Sequence, residues 1–460
     1  MPKDDSVVAF ANSIQARRGP DLTTRVTLGG NITFIHNLLH MTGEMTPQPF
    51  VQANIVAIYN GEIYNHRELS SNNTASTSDG HSLIPAYLRH GPSFPQVLDG
   101  EFAVVLFDLE KHLLVVGADT FGTKPMHYYV NGDTGEFVFA SYRSAITRLL
   151  GLEGGKGVEQ VPPNTILTWS LDPSNTRLTS SHPSHTLPTT TFDVSNQHKS
   201  HTGDFVAAFM AAVSKRSRDL RVPPFVGLSS GYDSGAVLCA LSELGVGTYA
   251  YSVVGMENAT IVEERVEYAR GEGRGGLLGW ERIDMTEEEY ARQSVELLVL
   301  CEEYFYPDDN RLGYGGVGEG ERMDMRRDPG AVGLGALSGL GRRDGALVYM
   351  SGTGADEIIS DYGFGGRKLA PHSSFGGLFP PSLPPVFPWY NFFGGAQRAY
   401  LMKEELVSGA FGLEARYPFL DPAVVQEFLW LSTEVKNSRY KRPVWDALQG
   451  MGCPVDEGVK

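Results

Sequence analysis

The sequence predicts an α/β protein of two domains, an antiparallel sandwich followed by a parallel sheet with helices on both faces. Its 460 residues exceed the roughly 250 to 300 that one hydrophobic core serves. Apolar runs between residues 50 and 142 succeed one another as hairpins, which is typical of antiparallel sheets. After residue 203, apolar strands alternate with helical patterns, which favours a parallel sheet.

The N-terminal strands are short apolar runs separated by polar turns. They are NIVAIYNGEIYN (54–65), GEFAVVLFDLEKHLLVVGAD (100–119), MHYYV (126–130) and FVFAS (137–141). Residues 171–203 are rich in Ser, Thr, Pro and His, so we expect the linker there. The predicted domains therefore span residues 1–185 and 200–460.

The second half follows a strand–helix rhythm. PPFVGL (223–228) and GTYAYSVVG (247–255) are predicted strands, and GAVLCALSEL (235–244) and EEEYARQSVELLVLCEEY (287–304) are predicted helices. Two stretches interrupt the rhythm: the Gly- and Arg-rich 311–345 and the Pro-, Phe- and Gly-rich 371–395. We expect surface loops in both, or loops that close over a site.

Composition and charge exclude several classes of function. A net charge of −16 opposes binding to nucleic acid or to an anionic membrane surface, so we expect small-molecule partners. The three cysteines lie far apart, without a CxxC pair, which predicts neither a disulfide framework nor a zinc site. Without a signal peptide or an apolar membrane span, the expected location is the cytoplasm. The oligomeric state stays open, a homodimer included.

The turn SSGYDSG (229–235) joins a predicted strand to a predicted helix. Small residues there present backbone N–H groups and the positive end of a helix dipole, which suits a phosphate or pyrophosphate. Ser229 and Ser234 add hydroxyl donors, Gly231 allows close approach, and Asp233 is a candidate Mg²⁺ ligand. The alternative is an ordinary helix cap.

A second turn strengthens the phosphate interpretation. LVYMSGTGADE (347–357) is an apolar strand followed by small residues and then by Asp356 and Glu357. Ligands of open parallel sheets lie beyond the carboxyl ends of the strands, so both turns can face one crevice. Asp233 and Asp356 would then share one Mg²⁺. The alternative is again a helix N-terminus with acidic residues favoured by its dipole.

Motifs in both halves resemble the asparagine synthetase family. The resemblance covers nearly the whole chain and implies an Ntn-hydrolase-like αββα domain, related to class II glutamine amidotransferases, and an adenine nucleotide α-hydrolase-like domain. The motifs that carry it are RGPD (18–21), YNGEIYNH (59–66), SD (78–79), LDGEFAVVLFD (98–108), DTFGTKPMHYY (119–129), LSSGYDS (228–234), SGTGADE (351–357) and GLEARYPFLD (412–421).

The resemblance implies an ATP-dependent ligase. A carboxylate, aspartate or a related acid, would attack the α-phosphate of Mg-ATP and release pyrophosphate, and ammonia or an amine would then displace AMP. It also implies Asp233 and Asp356 as metal ligands. The residues that would bind ATP and pyrophosphate are Leu228, Ser229, Ser230, Gly231, Asp233, Ser234, Ser351 and Gly352.

The glutaminase-like half departs from the family. The sequence starts Met-Pro-Lys, where the family has a nucleophilic Cys at the second position, and Leu38 stands where the family usually has an Arg that holds glutamine. We expect a structural domain without glutaminase activity, although a misplaced start codon would also explain the missing Cys. The residues expected to form its degenerate glutamine site are Asn60, Gly61, Glu62 and Asp79.

The synthetase-like half departs as well. Thr353 stands where asparagine synthetases have Glu, and β-lactam synthetases, which also replace this Glu, use a Tyr with a Glu that Glu414 matches. Glu414, with Thr353, would deprotonate an amine; the alternative is an ion pair of Glu414 with Arg416. Lys460, or else Lys441, loosely matches a family lysine that stabilises charge on the adenylate, in a half that is C-terminally short.

Three hypotheses follow. The first is a ligase that adenylates a carboxylate and uses ammonia or an amine without hydrolysing glutamine. The second is a glutamine-hydrolysing asparagine synthetase whose sequence is truncated. The third is a catalytically inactive scaffold that keeps the fold.

Overall fold

The computed structural model describes residues 4–29, 32–70, 77–255, 257–271, 273–306 and 323–456. The chain divides into two compact units, Met1–Thr191 and Phe192–Lys460. One unit is built on antiparallel sheets and the other on a parallel sheet, which confirms the predicted fold class.

The described strands of the first unit are short and mostly joined as hairpins. They are β1 (Leu22–Leu28), β2 (Ile32–Leu38), β3 (Phe50–Gln52), β4 (Ile55–Ile63), β5 (Gly100–Asp108), β6 (Leu113–Ala118), β7 (His127–Val130), β8 (Phe137–Ala140), β9 (Glu159–Gln160), β10 (Ile166–Ser170) and β11 (His185–Leu187). Its helices are α1 (Asp5–Asn12), α2 (His66–Leu69), α3 (Leu83–His90) and α4 (Arg143–Leu150), with 3₁₀ turns at Gln15–Arg18, Asp79–Ser82, Gly91–Val97 and Glu153–Gly155.

The first unit has four layers. Among its described strands, six form an antiparallel sheet in the order β11-β10-β6-β5-β4-β3. Alternate side chains of β5 enter two different cores: Val104 and Leu106 pack towards α3, while Val105 and Phe107 pack against strands β2, β7 and β8. Helix α4 contacts α1, β7 and β8. The order helix, sheet, sheet, helix is the predicted αββα arrangement.

The segment expected as a linker is partly folded. Strand β11 pairs with β10, and the Thr189 hydroxyl donates to the carbonyl of Ala118 at 2.7 Å. The linker prediction was therefore wrong for the part of 171–203 that precedes residue 192, because backbone pairing tolerates a polar exposed edge strand.

The second unit alternates strands and helices. Its described strands are β12 (Phe225–Gly227), β13 (Thr248–Val254), β14 (Leu277–Asp284), β15 (Val348–Met350), β16 (Gly363–Phe364), β17 (Arg367–Lys368) and β18 (Glu414–Arg416). Its described helices are α5 (Gly203–Ser217), α6 (Tyr232–Glu243), α7 (Ala259–Arg270), α8 (Glu287–Leu300), α9 (Pro329–Arg343), α10 (Tyr390–Phe393), α11 (Gly395–Ala410), α12 (Pro422–Trp430), α13 (Thr433–Asn437) and α14 (Arg442–Met451). Further turns are 3₁₀ at Met325–Arg327 and Pro418–Leu420 and π-helical at Ala355–Ser360.

The parallel sheet is doubly wound. Its described strands have the order β14-β13-β12-β15-β18, with Phe225 of β12 opposite Tyr349 of β15. The chain therefore moves outward from β12 in one direction and then from β15 in the other. Right-handed crossovers place the helices of the two directions on opposite faces. The switch between β12 and β15 is the position at which such sheets bind ligands.

Helix α9 contradicts the expectation of a loop over 311–345, of which 311–322 lies outside the described residues. The glycines of this helix let it pack closely: a Cβ on Gly335 would lie 3.0 Å from Leu297, and one on Gly341 would lie 2.7 Å from Phe225. The glycines that suggested a loop are thus needed for close packing of a buried helix.

The segment 371–395 is also more ordered than a surface loop. It contains α10, and Phe375, Phe379, Phe387 and Trp389 form a network of edge-to-face ring contacts. Across the described ranges, helices long and apolar enough to span a bilayer are absent.

Candidate functional site

Two strand-to-helix turns meet at the switch point of the parallel sheet. The first follows β12 and enters α6, and the second follows β15 and enters the π-helical turn Ala355–Ser360. Gly352 of the second turn lies against the first, since a Cβ on it would come within 2.9 Å of Asp233 Cβ and 3.3 Å of Ser234 N. Ser351 is buried beside it, and its N–H donates to Arg416. The two predicted turns thus pack against each other at the switch point.

Hydroxyl groups hold the first turn in shape. The Ser229 N–H donates to Ser234 Oγ at 3.0 Å, the Gly231 N–H donates to Ser229 Oγ at 3.1 Å, and the two hydroxyls lie 2.8 Å apart. Leu228, before the turn, is buried and donates its N–H to Tyr251. The serines therefore set the curvature of the turn.

The N–H of Ser230 already binds an anionic oxygen. Glu257, on an exposed segment after β13, accepts from Ser230 N at 2.6 Å and from Ser230 Oγ at 2.5 Å. Its carboxylate oxygen occupies the kind of position that a phosphate oxygen takes at a helix N-terminus. The turn can thus hold an anion through Ser230.

A buried guanidinium lies beneath the first turn. Arg265 of α7 is fully buried and donates from Nη1 to the carbonyls of Ser229 at 2.8 Å and Gly231 at 2.7 Å. Burial lowers the pKa of Arg265 to about 10, so it remains charged at neutral pH. Gly235 makes room for it, because a Cβ there would lie 2.4 Å from the guanidinium carbon. The sequence reasoning missed Arg265, since an Arg within a helix carries no motif.

Lys441 joins the two predicted metal ligands. Its Nζ lies 2.6 Å from Asp233 Oδ2 and 2.6 Å from Asp356 Oδ1. Burial disfavours its charged form, but the two carboxylates raise the pKa of Lys441 well above the ordinary value. Burial raises the pKa of Asp233 to about 7 despite Lys441, whereas Lys441 outweighs burial and lowers the pKa of Asp356. The site therefore holds its two acids around one fixed cation.

The donor set beside Lys441 also suits a divalent cation. Asp233 Oδ1 is buried and has no hydrogen-bond partner among the described residues, and Asp356 is about one third exposed. Carboxylate oxygens are ligands of Mg²⁺, which keeps positions open for phosphate oxygens and water. Within the described ranges no cluster of three or more His, Cys, Asp or Glu side chains stands ready for a metal, so phosphate or water would have to complete the shell.

Thr353 contacts a residue that the sequence reasoning did not find. Its hydroxyl donates to Glu404 Oε1 at 2.9 Å, and its N–H donates to Ser351 Oγ at 3.0 Å. Glu404 lies on α11, 51 residues away, and is 8% exposed. Burial raises the pKa of Glu404 to about 7. A titratable carboxylate therefore stands directly behind the threonine.

Glu414 is held in the ion pair that was its alternative role. Its Oε1 accepts from Arg416 Nε at 2.9 Å, and both side chains are buried. The register of the parallel sheet places Glu414 opposite Val348, three residues before Ser351. Thr353 thus pairs with Glu404 rather than with Glu414, which was the expected partner. Lys460 lies outside the described residues.

The C-terminal segment contacts the first turn and contains a disulfide. Cys453 is bonded to Cys239 of α6, while Cys301 is a buried thiol that donates to the Leu406 carbonyl. The expectation of no disulfide was wrong, because a spacing of 214 residues gives no sign of which thiols the fold brings together. Pro454 accepts from Arg265, and Asp456 accepts from the Tyr232 hydroxyl and the Asn258 amide.

In the first unit, the residues expected at a glutamine site lie on and beside β4. Asn60 Nδ2 is buried and has no hydrogen-bond partner among the described residues. Gly61 has φ +127° and no room for a side chain, since a Cβ would lie 1.9 Å from Glu101 O. Glu62 accepts from the Thr42 hydroxyl at 3.2 Å.

Asp79 serves the structure of this unit. Its two oxygens accept from the Tyr59 hydroxyl at 2.6 Å and from the Ile63 N–H at 2.8 Å, and the side chain is buried. The carboxylate ties a 3₁₀ turn to β4. These contacts hold Asp79 in place without showing a ligand.

Comparisons with known proteins found similarity in both halves of the chain. Residues 1–200 match the glutamine amidotransferase domain family GATase_6. A protein of Methanocaldococcus jannaschii named as glutamine-hydrolysing asparagine synthetase 1 is 26% identical over 427 residues, which cover 89% of this chain and 71% of the relative.

Two fungal relatives match shorter stretches. Asparagine synthetase 1 of Saccharomyces cerevisiae is 32% identical over 117 residues, which cover 24% of this chain and 20% of the relative. Amidase chyE of Penicillium rubens is 36% identical over 124 residues, 25% of this chain and 18% of the relative. The chain is thus similar to asparagine synthetases over most of its length, and its first 200 residues match a glutamine amidotransferase domain.

Proposed function

We propose that this protein is an ATP-dependent carbon–nitrogen ligase that forms AMP and pyrophosphate. It adenylates a carboxylate, aspartate or a related acid, and transfers the acyl group to ammonia or an amine. The observation that carries the proposal is the meeting of two strand-to-helix turns at the sheet's switch point, with Lys441 between Asp233 and Asp356.

The first turn suits a leaving pyrophosphate. The Ser230 N–H and hydroxyl bind an oxygen anion, the α6 N-terminus supplies a positive dipole, and Arg265 adds a full charge beneath the turn. Fixed donors of this kind stabilise charge as it develops on the departing group. Glu257 must withdraw before phosphate binds, because its carboxylate occupies the same donors.

Lys441, Asp233 and Asp356 would organise the phosphates. Asp233 and Asp356 are the residues that would hold Mg²⁺, which supplies charge neutralisation to the phosphate oxygens when it is bound. Lys441 keeps both carboxylates oriented, and its ammonium carries positive charge at the same point. The second turn contributes Ser351 and Gly352 to the wall of the crevice.

We propose that nitrogen arrives as free ammonia or an amine, and that the first unit has a structural role. In the first unit, Asp79 already accepts from Tyr59 and Ile63 through its two oxygens. This engagement favours a structural role for Asp79 and a unit without glutaminase activity.

One observation favours a second candidate, a glutamine-hydrolysing asparagine synthetase. Asn60 Nδ2 is a buried donor without a partner in the described part of the chain, beside Gly61 with its left-handed backbone. Such a donor suits a developing oxyanion. If the purified protein releases glutamate from glutamine, this candidate replaces the ammonia-dependent one.

The test is ATP–pyrophosphate exchange on purified protein with Mg²⁺ and a panel of carboxylates led by aspartate. We expect exchange that depends on the acid, falls by at least 100-fold in Asp233→Ala and persists in the control Glu281→Gln, whose exposed side chain pairs with Arg343. Exchange absent with every acid in folded wild-type protein would refute adenylation and leave a scaffold.

A further inference from the structure

Glu404 is a buried carboxylate with one oxygen engaged and one oxygen unpartnered. Its Oε1 accepts from the Thr353 hydroxyl at 2.9 Å. Its Oε2 is buried and has no hydrogen-bond partner among the described residues. A buried polar atom without a partner costs free energy, so its retention points to an unfulfilled contact with a ligand.

The position of Glu404 follows from the second turn. Thr353 lies between Gly352, which packs against Asp233, and Gly354, whose φ of +106° bends the turn against Leu420. The hydroxyl of Thr353 therefore links Glu404 to the same turn that borders the crevice. Glu404 belongs to the site although α11 contains no recognisable motif.

Several charged and titratable groups surround Glu404. Lys403 on the same helix favours the charged form of Glu404 and Glu405 opposes it, while the nearby Ser351 and the Thr353 hydroxyl, which donates to Oε1, also favour the charged form. The charge of Glu404 also contributes to the raised pKa of Tyr349 on β15. With burial as the largest influence, the pKa of Glu404 is raised to about 7, so both protonation states are accessible near neutral pH.

We propose that Glu404 is the catalytic base that accepts a proton from the incoming nitrogen nucleophile, with Thr353 as the positioning residue that holds its carboxylate. This inference rests on the proposed function and names the acceptor of its second step. The nitrogen lone pair forms the bond to the acyl carbon. The bond from that carbon to the AMP oxygen breaks, AMP leaves with the electron pair, and the nitrogen proton passes to Glu404 Oε2.

The chemistry of the two side chains assigns the role of base to Glu404 and the positioning role to Thr353. A threonine hydroxyl does not act as a base near neutral pH, and here it donates its proton to Glu404. Glu414 already has an ion-pair partner, since its Oε1 accepts from Arg416 Nε. An uncommitted carboxylate oxygen also selects the donor: it attracts ammonium or a cationic amine and repels an anionic one.

The test measures the two half-reactions separately in Glu404→Gln. With aspartate as the acid and ammonium as the nucleophile, we expect ATP–pyrophosphate exchange within about twofold of wild type and amide formation lower by about 100-fold or more. Glu281→Gln is the control: its exposed side chain pairs with Arg343, away from Glu404, and its replacement should leave both rates nearly unchanged. Unchanged amide formation in Glu404→Gln would overturn the proposal.

A second variant keeps the proposal testable if Glu404→Gln does not fold. Thr353→Val removes one hydrogen bond that lowers the pKa of Glu404, so that pKa rises. We expect the acidic limb of the pH profile for amide formation to move to higher pH, while the profile for exchange stays in place. An unmoved amide profile would contradict the pairing. Wild-type protein without exchange would instead refute adenylation itself, so the two failures are distinguishable.

Discussion

Replacing Lys441 by Met should destabilise the second unit by about 3 kcal/mol at pH 8. The substitution keeps the length of the side chain but removes the ammonium 2.6 Å from both Asp233 and Asp356. Breaking a buried ion pair by removing one partner costs about 3 to 5 kcal/mol, and the exposed third of Asp356 argues for the lower end. For a unit of this size, the melting temperature should fall by roughly 6 °C or more.

The loss should shrink as the pH falls. In the wild type, Lys441 lowers the pKa of Asp356, so this contribution is present above the unfolded pKa and disappears as pH falls through the folded pKa. In the variant, both acids lose their counter-charge, so their pKa values rise, and protonation as the pH falls from about 8 relieves their repulsion.

The assay is thermal unfolding of the wild type and Lys441→Met from about pH 8 to about pH 5, with exposed Lys368→Met as the control. A loss of stability in Lys441→Met that is larger at low pH than at pH 8, or no loss at pH 8, would refute the view that Lys441 neutralises two buried acids. Addition of Mg²⁺ should recover part of the stability in the variant, because the carboxylates can then share a metal instead.

Three other predictions concern single groups. Glu257→Ala frees the Ser230 donors and should lower the KM for ATP by about threefold, which initial rates at varied ATP measure; a higher KM would contradict competition. Gly352→Val should abolish exchange in folded protein, because its Cβ would meet Asp233 at 2.9 Å; wild-type exchange would refute that packing. Ionisation of the buried Glu404 carboxylate destabilises the wild type as the pH rises from about 4.5 through about 7. The free energy of unfolding of Glu404→Gln should therefore gain roughly 3 kcal/mol relative to that of the wild type over this range, as measured in unfolding experiments. A constant difference would contradict the raised pKa.

Hydrophobic periodicity and turn residues predicted the strands, helices and turns that depend on neighbouring residues in the sequence. Alternation of strands and helices after residue 203 led to the parallel sheet, and the small residues after β12 and β15 marked the two turns that meet. The same reasoning failed at α9, because glycines that signal a loop in isolation can also mark a helix packed closely against Leu297 and Phe225.

The groups that complete the candidate site come from distant parts of the chain. Arg265 lies 34 residues from Gly231, Glu404 lies 51 residues from Thr353, and Lys441 lies 208 residues from Asp233. Such pairs leave no spacing signal in one sequence. Lys441 was considered only through a loose resemblance, and Glu404 not at all, since a glutamate on a helix is usually a solvated residue.

The most direct test of the account is the fate of the carboxylate oxygen. A responding acid labelled with heavy oxygen in its carboxylate would be incubated with ATP, Mg²⁺ and ammonium, and the released AMP would be examined by mass spectrometry. Adenylation predicts that one labelled oxygen passes from the acid to AMP, because the carboxylate oxygen attacks the α-phosphate and remains on it when nitrogen displaces AMP. Amide formation with unlabelled AMP would contradict an acyl-adenylate and the assignment of the two turns to its formation.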